Sequence, residues 1–376
     1  MEKMQDSFTD VIILAGGIGE RLWPASKPDS PKQFMSLPDG VSFIQSSILR
    51  SLALRPEGRI IIITKRDLLE KTAESVRSLY GRIPAEEQEK LRKDNLILTE
   101  PFQRHTTAPL VLASRMLEMQ DGKEHTLLVL ASDHVISPTE AFVSDGLKAA
   151  KTAQEGWFVC FAISPTSPDT GYGYIKAGKS LSPDGSVAKI DSFQEKPDLE
   201  TAKRYLASGE YAWNSGMFAF TTGFFLSEVK KLAPDVSAAF DGLTPPPAET
   251  ELTGGIKHIE GWKSMDYAYE KVPSIAVDKS VAERTDRAAA VKASFSWDDV
   301  GSWDAFCKYF TENADSTVEI ASKNNFVYSD IPVALCGVDD LTVVIRNGMA
   351  LVLKKGSAGQ MRDVVKAMKE KQRPHG

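Results

Sequence analysis

The 376-residue chain reads as an α/β protein: a mostly parallel sheet covered by helices, followed by a small β-rich C-terminal region. Three observations carry this reading. Apolar, β-branched runs alternate with helical patterns through the first part of the chain. A glycine-rich turn follows the first of those runs. After about residue 155 the texture changes to shorter segments punctuated by turns.

Taken in order, the strand-like runs fall at residues 11–14, 60–63, 96–98 and 127–131, with helical patterns at 43–54 and 107–119 between them. Ligands in such sheets bind beyond the carboxyl ends of the strands, which puts Gly16 to Gly19 and Ser132-Asp133-His134 at the working edge. The segments WFVCFAI, GYGYIKAG, VAKIDSFQEKP and NSGMFAFTT read as added strands and hairpins that extend the same domain, and Pro245-Pro246-Pro247 as a surface loop. From about residue 316 the runs NNFVYS, PVALCGV, LTVVIR and MALVLKK recur at a solenoid-like or sandwich-like spacing, and a basic helix closes the chain at 358–371. No sequence repeat stands out. The expected division is a catalytic domain at 1–312 and a small β-rich domain at 313–376 that serves packing or homodimerisation.

Composition excludes several classes of function. A formal net charge of -6 disfavours a nucleic-acid surface. No apolar run approaches the roughly 18 residues of a membrane helix, and the polar start MEKMQDSFTD is not a signal peptide. Cys160, Cys307 and Cys336 lie far apart with no Cys-x-x-Cys pair, which suits a reducing cytoplasm without structural zinc.

The chemistry concentrates in LAGGIGERLWPASKPDSPKQF, from Leu14 to Phe34. Gly17 and Gly19 fit the first places of a dinucleotide fingerprint, but its third place is Leu22, and the Gly-Lys pair of a Walker loop is absent. What remains is a strand, a glycine turn and a cationic loop. Glycine lets backbone N–H groups approach an anion closely, and Arg21 and Lys32 add charge. Pro24, Pro28 and Pro31 exclude a long helix here. An ordinary turn with solvated charges is the bland alternative, and the two cations favour phosphate binding over it.

Carboxylates come from two places. Asp133 follows a buried strand run, and SWDDVGSW offers Asp298 and Asp299; hard oxygens of this kind suit Mg²⁺ together with substrate phosphates. Alone, an aspartate after a strand such as Asp133 is more often a turn or helix-cap residue, and Asp298-Asp299 reads equally well as a solvated acidic turn flanked by core tryptophans. Glu195 and Asn214 supply acceptors and a donor suited to sugar hydroxyls, and Lys196 suits a phosphate. No nucleophilic triad is visible. Transfer onto a sugar 1-phosphate needs none, because that group is already largely an oxyanion at neutral pH.

These pieces occur in the order of a known pattern. LAGGIGERLWPASKPDSPKQF, EPFQRHTTAP, ASDHVI, TGYGYIK, FQEKP, WNSGMF, SMDYAYEK, WDDVGSW and the closing KKGSAGQMRDVV resemble the sugar nucleotidyltransferase family, with Trp23 and Gln33 pointing to its mannose 1-phosphate guanylyltransferase branch. The resemblance implies a Rossmann-like, GT-A-like nucleotidyltransferase fold with a mixed sheet. It implies that GTP and mannose 1-phosphate are the substrates and Mg²⁺ the cofactor. Leu14, Ala15, Gly16, Gly17, Gly19, Arg21, Lys32 and Glu100 would hold the nucleotide, with Arg21, Lys32 and Asp133 catalytic. Asp133 and Asp299 would hold the metal; Gly173, Glu195, Lys196 and Asn214 would hold the sugar phosphate. The segment Arg104-His105-Thr106-Thr107-Ala108-Pro109 departs from the family's Asn-Thr-Ala-Pro, having lost the asparagine and gained a residue. The chain also ends before the isomerase domain of longer relatives, so a monofunctional enzyme is expected. Another base, another sugar such as a heptose, or a silent nucleotide-sugar sensor are the competing readings.

Overall fold

The computed structural model describes residues 7–310 and 317–371. The expected boundary between residues 312 and 313 lies outside them. The chain forms two compact units: residues 1–16, 47–132 and 136–297 make the first, and residues 17–46, 133–135 and 298–376 the second.

The first unit is built on β1 (Asp10–Ala15), β2 (Ile60–Lys65), β3 (Asn95–Glu100) and β4 (Thr126–Ala131). A short strand, β5 (Val135–Ser137), precedes β6 (Phe158–Ile163), β7 (Gly173–Ser180), β8 (Val187–Glu195) and β9 (Tyr211–Thr221). Then come β10 (Thr250–Leu252), β11 (Ile256–His258), β12 (Ala288–Lys292) and a short β13 (Ser296–Asp298). One eleven-stranded sheet runs β10-β11-β3-β2-β1-β4-β9-β6-β12-β8-β7. Its β3-β2-β1-β4 portion is parallel, with Val11 opposite Ile60 and Leu128. From β9 onward antiparallel pairs enter, with Leu128 opposite Ala219. The sheet is therefore mixed, because the strands after residue 155 join the parallel portion.

Why β1 to β4 read as continuous apolar runs is clear from their two faces. Ile12, Leu127 and Val129 pack in one buried cluster with Leu110 and Met116 of the helix Thr107–Asp121. Val11, Leu128 and Leu130 pack on the other side with Phe142 and Ala149 of the helix Thr139–Gln154. Side chains alternate across a strand, so a strand covered on both faces must be apolar at every position. Truncating a core leucine such as Leu128 to alanine costs about 2–5 kcal/mol.

The second unit contains the glycine loop and the C-terminal strands β14 (Thr317–Ile320), β15 (Phe326–Ser329), β16 (Val333–Cys336), β17 (Leu341–Arg346) and β18 (Met349–Lys354). β14 pairs in parallel with β16, Thr317 opposite Val333, and β15 with β17, Phe326 opposite Thr342. Both pairings join residues sixteen positions apart, as do the hydrogen bonds Lys323 N–H to Asp339 and Leu341 N–H to Asn325. Corners repeat at the same offset: Ala321 and Gly337 have φ of 50° and 68°, Asn324 and Asp340 φ of 55° and 58°. A solenoid-like coil thus exists without a sequence repeat, because corner geometry accepts Ala, Gly, Asn or Asp while inward positions need only apolar bulk. Leu22, Met35 and Phe43 share one core with Trp303, Phe306, Phe326, Val344, Met361 and Val365. The glycine-loop segment and the C-terminal segment therefore fold on a common core.

Candidate active site

In the second unit, the glycine loop wraps around a lysine. Gly19 takes φ 71°, and a Cβ there would lie 2.5 Å from Lys32 Cβ, so no other residue fits. Ser26 Oγ donates to the Gly19 carbonyl at 2.6 Å and Lys32 N–H to the Ile18 carbonyl at 3.1 Å. The prolines allow only single 3-10 turns, Glu20–Leu22 and Lys32–Phe34. Lys32 is buried at 3% exposure. Its ammonium donates to the Asp133 carbonyl at 2.7 Å, to Asp133 Oδ2 at 2.9 Å and to the Asp299 carbonyl. An ammonium has three donors, and a buried one must be paired. The ring of Phe43 lies 5.0 Å below it.

Asp133 sits two residues beyond the end of β4. Burial alone would raise its pKa, but the Lys32 ammonium and His134 outweigh that and hold the carboxyl below its usual range. Asp299 comes from a strained turn. Asp298 Oδ1 accepts Val300 N–H at 2.7 Å and Asp299 Oδ1 accepts Gly301 N–H at 3.1 Å, which drives Val300 to φ 43°. A buried valine in the left-handed region is costly and persists only where its surroundings over-determine it. Arg21 reaches Asp299 Oδ2 at 3.9 Å and remains half exposed. A Cβ on Gly301 would come within 2.7 Å of that guanidinium. Arg21, Lys32, Asp133 and Asp299, four residues singled out in the sequence, are thus brought together.

The first unit holds two further groups. At the end of β1, the Leu14 carbonyl accepts Ser132 N–H at 3.1 Å and the Ala15 carbonyl accepts the Thr64 hydroxyl at 2.9 Å. Gly16 lies alongside Glu100: a Cβ there would be 3.6 Å from Glu100 Oε2, and Gln103 donates to the Gly16 carbonyl. Glu100 is buried, which pushes its carboxyl up to about 7 despite the Tyr269 hydroxyl donating to Oε1 at 2.8 Å.

The other group gathers Gly173, Glu195, Lys196 and Asn214. Gly173 faces Glu195 across the β7–β8 ladder, and a Cβ would lie 2.7 Å from Glu195 Oε2, so close strand approach explains this glycine. Lys196 takes φ 48°, donates to Glu195 Oε1 at 2.8 Å and stays largely exposed. Asn214 donates from Nδ2 to Asp278 Oδ1 at 2.8 Å and accepts Gly216 N–H at 3.2 Å. Burial, reinforced by the charge of Glu195, pushes Asp278 up to about 6.

Asp278 and Tyr269 escaped the sequence reading. Tyr269 lay within SMDYAYEK, whereas nothing around Val277-Asp278-Lys279 marks the aspartate. The loop at 104–107 connects both. Arg104 Nε donates to the Tyr269 carbonyl at 2.9 Å, Thr106 Oγ1 accepts Val277 N–H at 2.8 Å, and the Thr107 hydroxyl donates to the Ile275 carbonyl at 2.8 Å. His105, at φ 55°, turns the loop so that both threonines reach this segment. The loop at 104–107 therefore braces the turn that carries Asp278.

The nucleotidyl transferase family matches residues 10–316. The chain is 34% identical over 365 residues to the xanthan biosynthesis protein XanB of Xanthomonas campestris pv. campestris (strain B100), covering 95% of this chain and 73% of that protein. It is 34% identical to the mannose-1-phosphate guanylyltransferase of Escherichia coli (strain K12), again covering 95% and 73%. A solved structure from Thermus thermophilus, described as a mannose-1-phosphate geranyltransferase, superposes with a TM-score of 0.77 at 28% identity over 97% of this chain and 100% of that one. Among the described residues, no helix is long and apolar enough to cross a membrane. With its mixed sheet, its glycine loop around Lys32 and relatives along nearly its whole length, the chain belongs to the nucleotidyl transferase family, within the mannose-1-phosphate guanylyltransferase branch.

Proposed function

We propose that the protein transfers GMP from GTP to α-D-mannose 1-phosphate, giving GDP-mannose and pyrophosphate. The observation that carries this reading is the buried Lys32 ammonium bracketed by Asp133 and Asp299, in a chain so similar to mannose-1-phosphate guanylyltransferases. An oxygen of the sugar phosphate forms a bond to the α-phosphorus of GTP, and the bond from that phosphorus to the β-bridging oxygen breaks. Its electron pair leaves with pyrophosphate. The attacking oxygen is already anionic, so no base is required, and the protein's task is to position and neutralise two polyanions.

The chain's residues divide this work. Backbone N–H groups of Gly16, Gly17 and Gly19, following Leu14 and Ala15, receive the nucleotide phosphates with Arg21. Lys32 exchanges one of its protein acceptors for the transferring phosphate. Glu100 accepts from the donor edge of guanine, which adenine does not present. Gly173, Glu195 and Asn214 line the sugar, Asp278 orients the Asn214 amide, and Lys196 meets the sugar phosphate.

Members of the family typically use a divalent metal. Asp133 and Asp299 fit one: carboxylate oxygens are hard ligands, and a carboxylate offers about four acceptor sites, of which Asp133 gives Lys32 one. Among the described residues no group of three or more His, Cys, Asp or Glu side chains is placed to hold a metal. Mg²⁺ takes one or two carboxylates and completes its shell with water and substrate phosphates. When bound, Mg²⁺ would neutralise charge on the phosphates. In this reading residues 1–312 carry catalysis, residues 313–376 support the phosphate loop and a homodimer, and the enzyme works in the cytoplasm.

A second reading, the same reaction with another base or sugar, draws on the departure at Arg104-His105-Thr106-Thr107. One assay separates the two: pyrophosphate release from GTP and mannose 1-phosphate with Mg²⁺, against EDTA, other nucleotides and a heptose 1-phosphate. Release that needs both substrates and metal is expected. A higher kcat/KM for a different pair would overturn the assignment.

A further inference from the structure

A charged cavity lies beside Arg21 in the second unit. It has a volume of about 630 Å³ and is lined by Glu20, Arg21, Arg362, Val365, Lys366, Lys369 and Glu370. Four cations face two carboxylates, a formal surplus of two positive charges in a chain whose net charge is -6. Arg362, Lys366 and Lys369 stand at i, i+4 and i+7 of the helix Met361–Lys371, so they share one face. Like charges at such spacing oppose helix formation by a few tenths of a kcal/mol per pair. Lys369 is paired to Glu20 at 2.7 Å. Arg362 and Lys366 have no ion-pair partner among the described residues.

The helix is also anchored in place. Its buried Met361 and Val365 share a core with Leu22, the neighbour of Arg21. The unpaired cations are therefore held beside the guanidinium already assigned to nucleotide phosphates.

We propose that this cavity is the seat of the departing diphosphate: Arg362 and Lys366 join Arg21 in holding the β- and γ-phosphates of the nucleotide and then free pyrophosphate. The proposal rests on the transferase reading above and extends the catalytic machinery to the C-terminal helix. Two separated cations and a guanidinium match an elongated anion with charge at both ends better than a single phosphate.

The test is calorimetric titration of the full chain with inorganic pyrophosphate and, separately, inorganic phosphate, using wild type and the double variant Arg362→Ala/Lys366→Ala. Both side chains are exposed, so an unchanged melting temperature serves as the folding control. Loss of two solvent-exposed charge contacts should weaken pyrophosphate binding by about tenfold. In the reverse reaction the KM for pyrophosphate should rise by a similar factor while the KM for GDP-mannose stays put. Unchanged pyrophosphate affinity in the variant overturns the proposal, as does equal affinity for inorganic phosphate, which would mark a general anion site. If pyrophosphate binds through these residues but no GDP-mannose forms, the site stands and the substrate assignment is what fails.

Discussion

The group around Lys32 and the group around Asn214 solve opposite electrostatic problems. In the first, a lysine ammonium is buried, its three donors spent on two carbonyls and a carboxylate. In the second, a carboxyl is buried and driven towards neutrality, with Asp278 pushed up to about 6. A site for phosphates needs fixed positive charge that requires no reorganisation during reaction. A site for a neutral sugar needs donors and acceptors in fixed directions, and an extra full negative charge beside Glu195 would add repulsion. The contrast teaches that burial is put to different uses: it fixes a fully paired ammonium in one group and suppresses the charge of a carboxyl in the other.

Four changes would break or sharpen this contrast. Lys32→Met should have the largest effect, lowering kcat by about 10²–10³-fold. Because it leaves two carbonyls without their donor beside a partly exposed Asp133, it should also destabilise the fold by about 1–3 kcal/mol. Turnover together with urea denaturation reads both, and a kcat within tenfold of wild type would remove Lys32 from the chemistry.

Asp278→Asn probes the opposite case through pH. The folded state keeps the Asp278 proton to higher pH than the unfolded chain, so its stabilising contribution is complete below the unfolded pKa and is lost as pH rises through the folded one. A shift from 3.8 to about 6 corresponds to roughly 3 kcal/mol of stability lost across that window. The asparagine variant should lack this slope while retaining the bond from Asn214. An identical slope in denaturation curves between pH 4 and 6 would place the titration elsewhere.

Gly19→Ala should come next, at about 1–3 kcal/mol, since it combines positive φ with a methyl driven against the Lys32 stem. Its signature is a fall in kcat, because the ammonium moves with its stem; a loss of stability with kcat intact would mean the loop yields elsewhere. Lys196→Ala should be mildest. The side chain is largely exposed, so removing it should raise the KM for the sugar phosphate several-fold, worth about 1 kcal/mol, and leave kcat nearly unchanged. An unaltered KM would assign that phosphate another grip.

Much of this was legible in residues 10–15, 60–65, 95–100 and 126–131, where strands covered on both faces leave an unbroken apolar signal. Gly19, Lys32, Asp133 and Asp299 were also legible, because glycine, proline and charged residues at a strand end carry local information. Periodicity alone read as a mostly parallel sheet, since the turn-rich segments announced strands but not their antiparallel sense; the mixed sheet that the structure shows was legible through the family resemblance. Asp278 was hidden. A lone aspartate has no local mark, and its raised pKa comes from surroundings far along the chain.

The sequence by itself determined the strands, the cationic glycine loop and the family, since these depend on short-range sterics and on the spacing of a few residue types. Only the tertiary structure decided that Lys32 is saturated by residues 101 and 267 positions away. It alone decided that the coil repeats every sixteen residues without a repeated motif, and that the C-terminal helix shares a core with Leu22. The physical reason is the same in each case. Turn and strand preferences act between neighbours, whereas the pairing of buried charges and the closing of a core depend on which distant segments packing brings into contact.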